Sequence, residues 1–145
     1  MYPIRVESMV EDGWKDILRE SRGEGYSIVE RLLDDFRAGR NRFDAPGEAL
    51  YAHFLGQVAI AVCGINRETD RTYSNAGRIR RLYVLPQYRG NGLAHDLVDV
   101  ITRHASMTFD HLTVNVGTSE ARGFYEHLGF VPVQLPGITH CRKLP

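Results

Sequence analysis

A change of hydrophobic period across one glycine-bearing turn constrains this chain more than any other feature. Ile79, Leu82 and Val84 lead in at strand-like spacing, and Pro86, which has no N–H to give, forbids the ladder from continuing. Beyond Arg89-Gly90-Asn91-Gly92-Leu93-Ala94, the residues Leu93, Leu97, Val98, Ile101 and Ala105 recur at helical spacing. The segment must therefore run strand, tight turn, helix, with the glycines at the helix mouth. N–H groups of a first helical turn lack intrahelical partners, and the mouth carries a partial positive charge. Glycine lets a bulky anion approach the main chain, and Arg89 adds a cation beside it. This is a phosphate cradle.

The remaining periodicity is regular enough to order the elements. Tyr2 to Glu7 alternates as a first strand, and Trp14, Ile17 and Leu18 mark a short helix stopped near Gly23 and Gly25. A second helix is expected from Ser27, an N-cap with Glu30 three residues on, burying Ile28, Leu32, Leu33 and Phe36 and ending at Gly39. Strands at Ala49–Leu55 and Val58–Ile65 flank the tight Gly56-Gln57 connection of a hairpin. Arg67 to Gly77 is polar and reads as a loop, followed by the strand Arg78–Leu85 and the helix Gly90–Ala105. Leu112, Val114 and Val116 alternate in a further strand. A last helix covers Ser119–Leu128 with Gly129 at its C-terminal turn, and Phe130–Gln134 and Ile138–Leu144 close the chain as strands. The expectation is an α/β fold with a mixed central sheet of about seven strands flanked by about four helices, residues 1–145 forming one domain.

Composition excludes several classes of function. Eighteen basic residues balance eighteen acidic ones and no basic run stands out, so nothing points to nucleic acid. No apolar stretch is long enough for a membrane span or a signal core. Cys63 and Cys141 show no metal-ligand spacing and are too few for a disulfide framework, which makes a reducing cytoplasm the expected compartment and leaves no metal site expected. Cys63, within an apolar strand, reads as core. The exposed edges such a sheet leaves suggest a homodimer paired through the C-terminal strands.

Three cradle types can be compared. A Walker loop requires a lysine and a hydroxyl after its glycines, and neither follows here. A dinucleotide fingerprint requires a third glycine where His95 stands. Gln87-Tyr88-Arg89-Gly90-Asn91-Gly92 instead resembles the acetyl-CoA-binding segment of the GNAT family of N-acetyltransferases. Arg81-Leu82-Tyr83-Val84-Leu85-Pro86 before it and Phe124-Tyr125-Glu126-His127-Leu128-Gly129-Phe130 near the C-terminus extend the resemblance. With the matching order of elements, it covers nearly the whole chain.

The resemblance implies a GNAT-like fold and acetyl transfer from acetyl-CoA to a primary amine of a small molecule or peptide, by direct attack and without a nucleophilic cysteine. It implies that Leu82 and Val84 offer backbone groups to the pantetheine arm. The pyrophosphate would lie on Gln87, Arg89, Gly90, Asn91, Gly92, Leu93 and Ala94. It implies Tyr125 as the general acid near the thioester sulfur. Thr118 departs from the asparagine frequent at that position, so the asparagine's cofactor contact is not transferred. For the general base two residues come forward. Glu24, between two glycines where the resemblance places the acceptor wall, could take a proton directly or through water, and His140 has a near-neutral imidazole. Arg78, Arg80 and Arg81 form a basic cluster, and Arg80 is the candidate contact for an anion on the acceptor. Strict alternation would put Arg81 on the opposite face from the other two. A catalytically silent CoA or acyl-CoA sensor, and a transferase of longer acyl chains, are the competing readings. The residues between Gly23 and Gly47, where acceptor choice resides, carry no motif.

Overall fold

The computed structural model describes residues 2–145. In chain order the elements are β1 (Ile4–Arg5), α1 (Lys15–Gly23), α2 (Ile28–Arg37), β2 (Ala49–Leu55), β3 (Val58–Arg67), β4 (Ala76–Val84), α3 (Leu93–Ala105), β5 (His111–Val114), α4 (Ser119–His127), β6 (Val131–Leu135) and β7 (Ile138–Lys143). The strands make one seven-stranded sheet ordered β1-β2-β3-β4-β5-β7-β6. Every neighbouring pair is antiparallel except β4 and β5. No helix among the described residues is long and apolar enough to cross a membrane.

Both faces of the sheet are covered. β3 is buried without alternation from Ala59 to Asn66, as a strand must be when helices lie on either side. α1 and α2 pack on β3 and β4, while α3 packs on β2, β3 and β4. The α3 face follows the periodic reading residue for residue, burying Leu93, Leu97, Val98, Ile101 and Ala105. On α2 one residue differs. Val29, with Leu32, Leu33 and Phe36, faces the core, and Ile28 is left half-buried. The i, i+3, i+4, i+7 series begins at Val29 rather than one residue earlier. The expected capping box is also absent. Ser27 makes no side-chain cap bond, and Glu30 instead accepts from Arg22 at 2.7 Å.

Two irregularities shape the middle of the sheet. Val62 pairs with Tyr83 and Gly64 with Arg80, so Arg81 and Leu82 together oppose the single residue Cys63. This is a β-bulge, and Arg81 takes a φ of 63°, a left-handed backbone that a long side chain seldom adopts. The second irregularity is a wedge. β4 and β5 pair only through Ala76–Arg78 against His111–Thr113, and from Ile79 onward β4 has β3 on one side and no strand on the other. At the sheet's end, β6 carries Pro132, which removes one donor from the edge.

Candidate active site

The wedge between β4 and β5 opens into two grooves that meet. One, of about 460 Å³, is lined by β4 from Arg78 to Leu82, by the segment Val114–Thr118, and by Ile28, Arg31, Ala121 and Tyr125. The other, of about 500 Å³, runs along Leu82, Tyr83 and Val84 toward Arg89 and Ala94, with Tyr26, Thr118, Glu120 and Phe124 on its walls. Ile28, Leu82, Thr118, Ala121 and Tyr125 line both. A molecule in each would therefore touch the other at Tyr125.

Tyr125 is held rigidly at this junction. Its ring packs edge-on against Phe124 and Phe130, with centroids 5.0 and 5.2 Å away, and only 3% of the residue is exposed. Burial, with a lesser contribution from the nearby Cys63 thiol, pushes the phenol well above its ordinary pKa, so it keeps its proton through the neutral and alkaline range. Among the described residues its hydroxyl has no hydrogen-bond partner. The donor is free to point at a ligand in either groove.

The glycine turn forms a third pocket, of about 280 Å³, continuous with the second groove through Val84, Arg89, Ala94 and Phe124. Gly90, Gly92, Leu93 and Ala94 line it, as the cradle requires. Gly90 and Gly92 have φ of 81° and 80°, and a Cβ on either would meet only open space. Glycine is needed there for backbone conformation and for what approaches from outside, not for packing within the fold. No side chain caps α3, so the N–H groups of its first turn remain on offer. Gln87 and Asn91 are outside the pocket lining. Gln87 is exposed in the short turn Pro86–Tyr88, and Asn91 Nδ2 donates to the carbonyls of Tyr88 and Arg89 at 3.1 and 3.4 Å, bracing the turn.

Arg89 is engaged elsewhere. Its Nη1 and Nη2 donate to the two carboxylate oxygens of Glu24 at 2.9 and 2.7 Å, its Nε donates to the Val84 carbonyl at 3.0 Å, and its guanidinium lies 5.4 Å over the Tyr83 ring. The Tyr83 hydroxyl donates to the same carboxylate. These bonds form a clasp from the α1–α2 connection to the cofactor turn. Sequence alone does not reveal Tyr83 as its third member, because Glu24, the carboxylate that joins it to Arg89, lies 59 residues earlier in the chain.

The clasp bears directly on the expected bases. The Arg89 guanidinium, then the Tyr83 hydroxyl, hold the Glu24 carboxyl below its ordinary pKa, so it is a fixed anion rather than a proton acceptor near neutrality. His140 is fully buried, with Nδ1 2.9 Å from Thr139 Oγ1 and Nε2 2.9 Å from Glu126 Oε2. Neither Glu24 nor His140 lines any of the three cavities. Both side chains face partners of their own rather than the grooves. Thr118 has a local explanation too: its Oγ1 caps α4 by accepting from the Ala121 N–H at 3.1 Å. Cys63 is buried with its thiol pushed up to about 12, an inert core residue.

Arg78, Arg80 and Arg81 all line the first groove, because it runs along the edge of β4 that β5 leaves unpaired and is reached from consecutive residues, Ile79 and Leu82 included.

Comparison with known proteins gives a consistent picture. Residues 18–140 match the family model described as an acetyltransferase (GNAT) domain. The chain is 31% identical to a protein of Exiguobacterium sp. 255-15 assigned as an acetyltransferase, covering 97% of this chain and 91% of that one, with a TM-score of 0.83. A Bacillus subtilis N-acetyltransferase, YlbP, solved in complex with coenzyme A, is similar at 15% identity, 97% and 95% coverage and a TM-score of 0.64. Glucosamine-6-phosphate N-acetyltransferase from Arabidopsis thaliana aligns at 16% identity, 93% and 95% coverage and a TM-score of 0.59. No curated protein matches the sequence.

Proposed function

Because the chain belongs to the GNAT acetyltransferase family, and acetyl transfer from acetyl-CoA follows at that level, we propose that it acetylates a primary amine of a small molecule or peptide by direct attack, with Tyr125 as the acid. The observation that carries this reading is the placement of Tyr125 where the two grooves join.

The residues present fit the coenzyme. The uncapped first turn of α3 and the open space over Gly90 and Gly92 suit a pyrophosphate. The unpaired side of β4 at Leu82 and Val84 suits a pantetheine amide, given that Arg89 Nε withdraws from the Val84 carbonyl. Bound there, acetyl-CoA supplies an activated acetyl group as a thioester. The first groove admits the amine, and the walls shared by both grooves hold the reacting groups together. Tyr125 keeps its proton and donates a hydrogen bond where charge grows on the departing sulfur. Its raised pKa lies above that of an ordinary thiol, so it works first by stabilising that charge and only later by giving up the proton. With Glu24 and His140 occupied, the amine loses its proton to water.

Amine-dependent release of the CoA thiol tests the reading. Turnover with some member of a primary-amine panel is expected. Tight acetyl-CoA binding with no turnover on any amine would mark the chain as a sensor instead.

A further inference from the structure

The first groove has an unusual electrostatic lining. Arg31, Arg78, Arg80 and Arg81 border it, and no carboxylate does. Two of the four are occupied. Arg78 donates to Glu68 at 3.4 Å and to the Gly137 carbonyl at 2.9 Å. Arg81 reaches Asp35 only at 3.8 Å, and that carboxylate also receives Arg40 at 2.9 Å. Arg31 and Arg80 have no hydrogen-bond or ion-pair partner among the described residues. Four guanidiniums border the groove while only two carboxylates, Glu68 and the Asp35 that Arg40 shares, lie at its edge, so it holds a surplus of positive charge in a chain whose 18 basic and 18 acidic residues balance overall.

Backbone strain marks the same stretch: Arg81 holds a left-handed conformation at the bulge that borders this groove. The coenzyme's own phosphates do not account for the surplus, because the pocket at the glycine turn shares no residue with the arginine groove.

We propose that the acceptor is a small primary amine that also carries an oxyanion, a carboxylate or a phosphate, gripped by Arg80 and Arg31 while the amine faces Tyr125. This rests on the acetyl-transfer reading. A guanidinium matches such oxyanions through paired N–H donors, and a cleft of one sign concentrates ligands of the other. Burial and the neighbouring Arg80 disfavour the charge on Arg81, which an arriving anion relieves. The same positive field disfavours a protonated amine, so the groove helps supply the neutral nucleophile that no side-chain base here provides.

The experiment compares matched acceptors on the full chain: butylamine with 4-aminobutyrate, and ethanolamine with O-phosphoethanolamine. The anionic member of at least one pair is expected to have a kcat/KM higher by about tenfold to a hundredfold, and the preferred pair identifies carboxylate or phosphate. Arg80→Gln and Arg31→Gln should each reduce that ratio about tenfold through KM. Arg103→Gln, on α3 and paired with Asp99, should leave it unchanged. Calorimetry with acetyl-CoA runs alongside. Absence of acetyl-CoA binding refutes the family-based reading itself. Normal binding with no turnover of any amine refutes the acetyl-transfer reading; turnover with equal use of neutral and anionic amines, or with a ratio unmoved in both arginine variants, overturns the oxyanion proposal alone.

Discussion

Placing a negative charge on the cradle is the most direct test of the site. Gly92 sits at the mouth of α3 with a φ of 80° and nothing within 4 Å of a built Cβ. Gly92→Asp therefore costs folding only the left-handed backbone of a non-glycine residue, about 1–2 kcal/mol. That corresponds to a fall in Tm of about 3–6 °C for a domain of this size. The effect on coenzyme binding is larger. A carboxylate about 4 Å from a phosphate charge is repelled by about 4 kcal/mol at an effective dielectric of about 20. Because Gly92 is exposed, screening cuts this to about 2–3 kcal/mol, or about 30- to 150-fold in Kd. Gly92→Asn has the same shape and tolerates the same backbone without the charge, so the Asp-to-Asn ratio isolates electrostatics. Titration calorimetry of both variants at low and high salt should show a gap that narrows as salt rises. Equal affinities for wild type, Asp and Asn on folded protein would refute the cradle.

Tyr125→Phe should lower kcat by about a hundredfold with acetyl-CoA affinity intact, since only a donor at the junction is lost; unaltered kcat would assign the role to water. Glu24→Gln should weaken the clasp and free Arg89 for phosphate, tightening acetyl-CoA binding several-fold, and weaker binding would show that the clasp orders the cradle instead. Because the Glu24 pKa is lowered on folding, its stabilisation is complete above the ordinary value of 4.5 and is lost as pH falls through the lower folded value. The Tm difference between wild type and Glu24→Gln should therefore be constant at neutral pH and shrink only below about pH 4. Gly77→Ala in β4 would place Cβ 2.5 Å from Ile65 Cδ1 and 2.7 Å from Phe109 Cδ2, so overpacking should cost about 1–3 kcal/mol by chemical denaturation.

The chain's own periodicities determine the order of its elements, the strand–turn–helix at Gly90–Gly92 and the buried face of α3, because each depends on neighbours within a few residues. Spacing and resemblance likewise single out Tyr125 and the glycine cradle as the proposed site. Tertiary structure decides what depends on partners far along the chain. Glu24 becomes a fixed anion because folding brings Arg89 and Tyr83 to it, and His140 is occupied because Glu126 packs across from it. The early end of β4–β5 pairing and the packing of α2 gather Arg78, Arg80 and Arg81 with Arg31 around one groove, a result of register and packing that no single strand encodes. Local order is set by local sequence; ionisation state and the convergence of charge are set by distance in space, and only the folded chain fixes those distances.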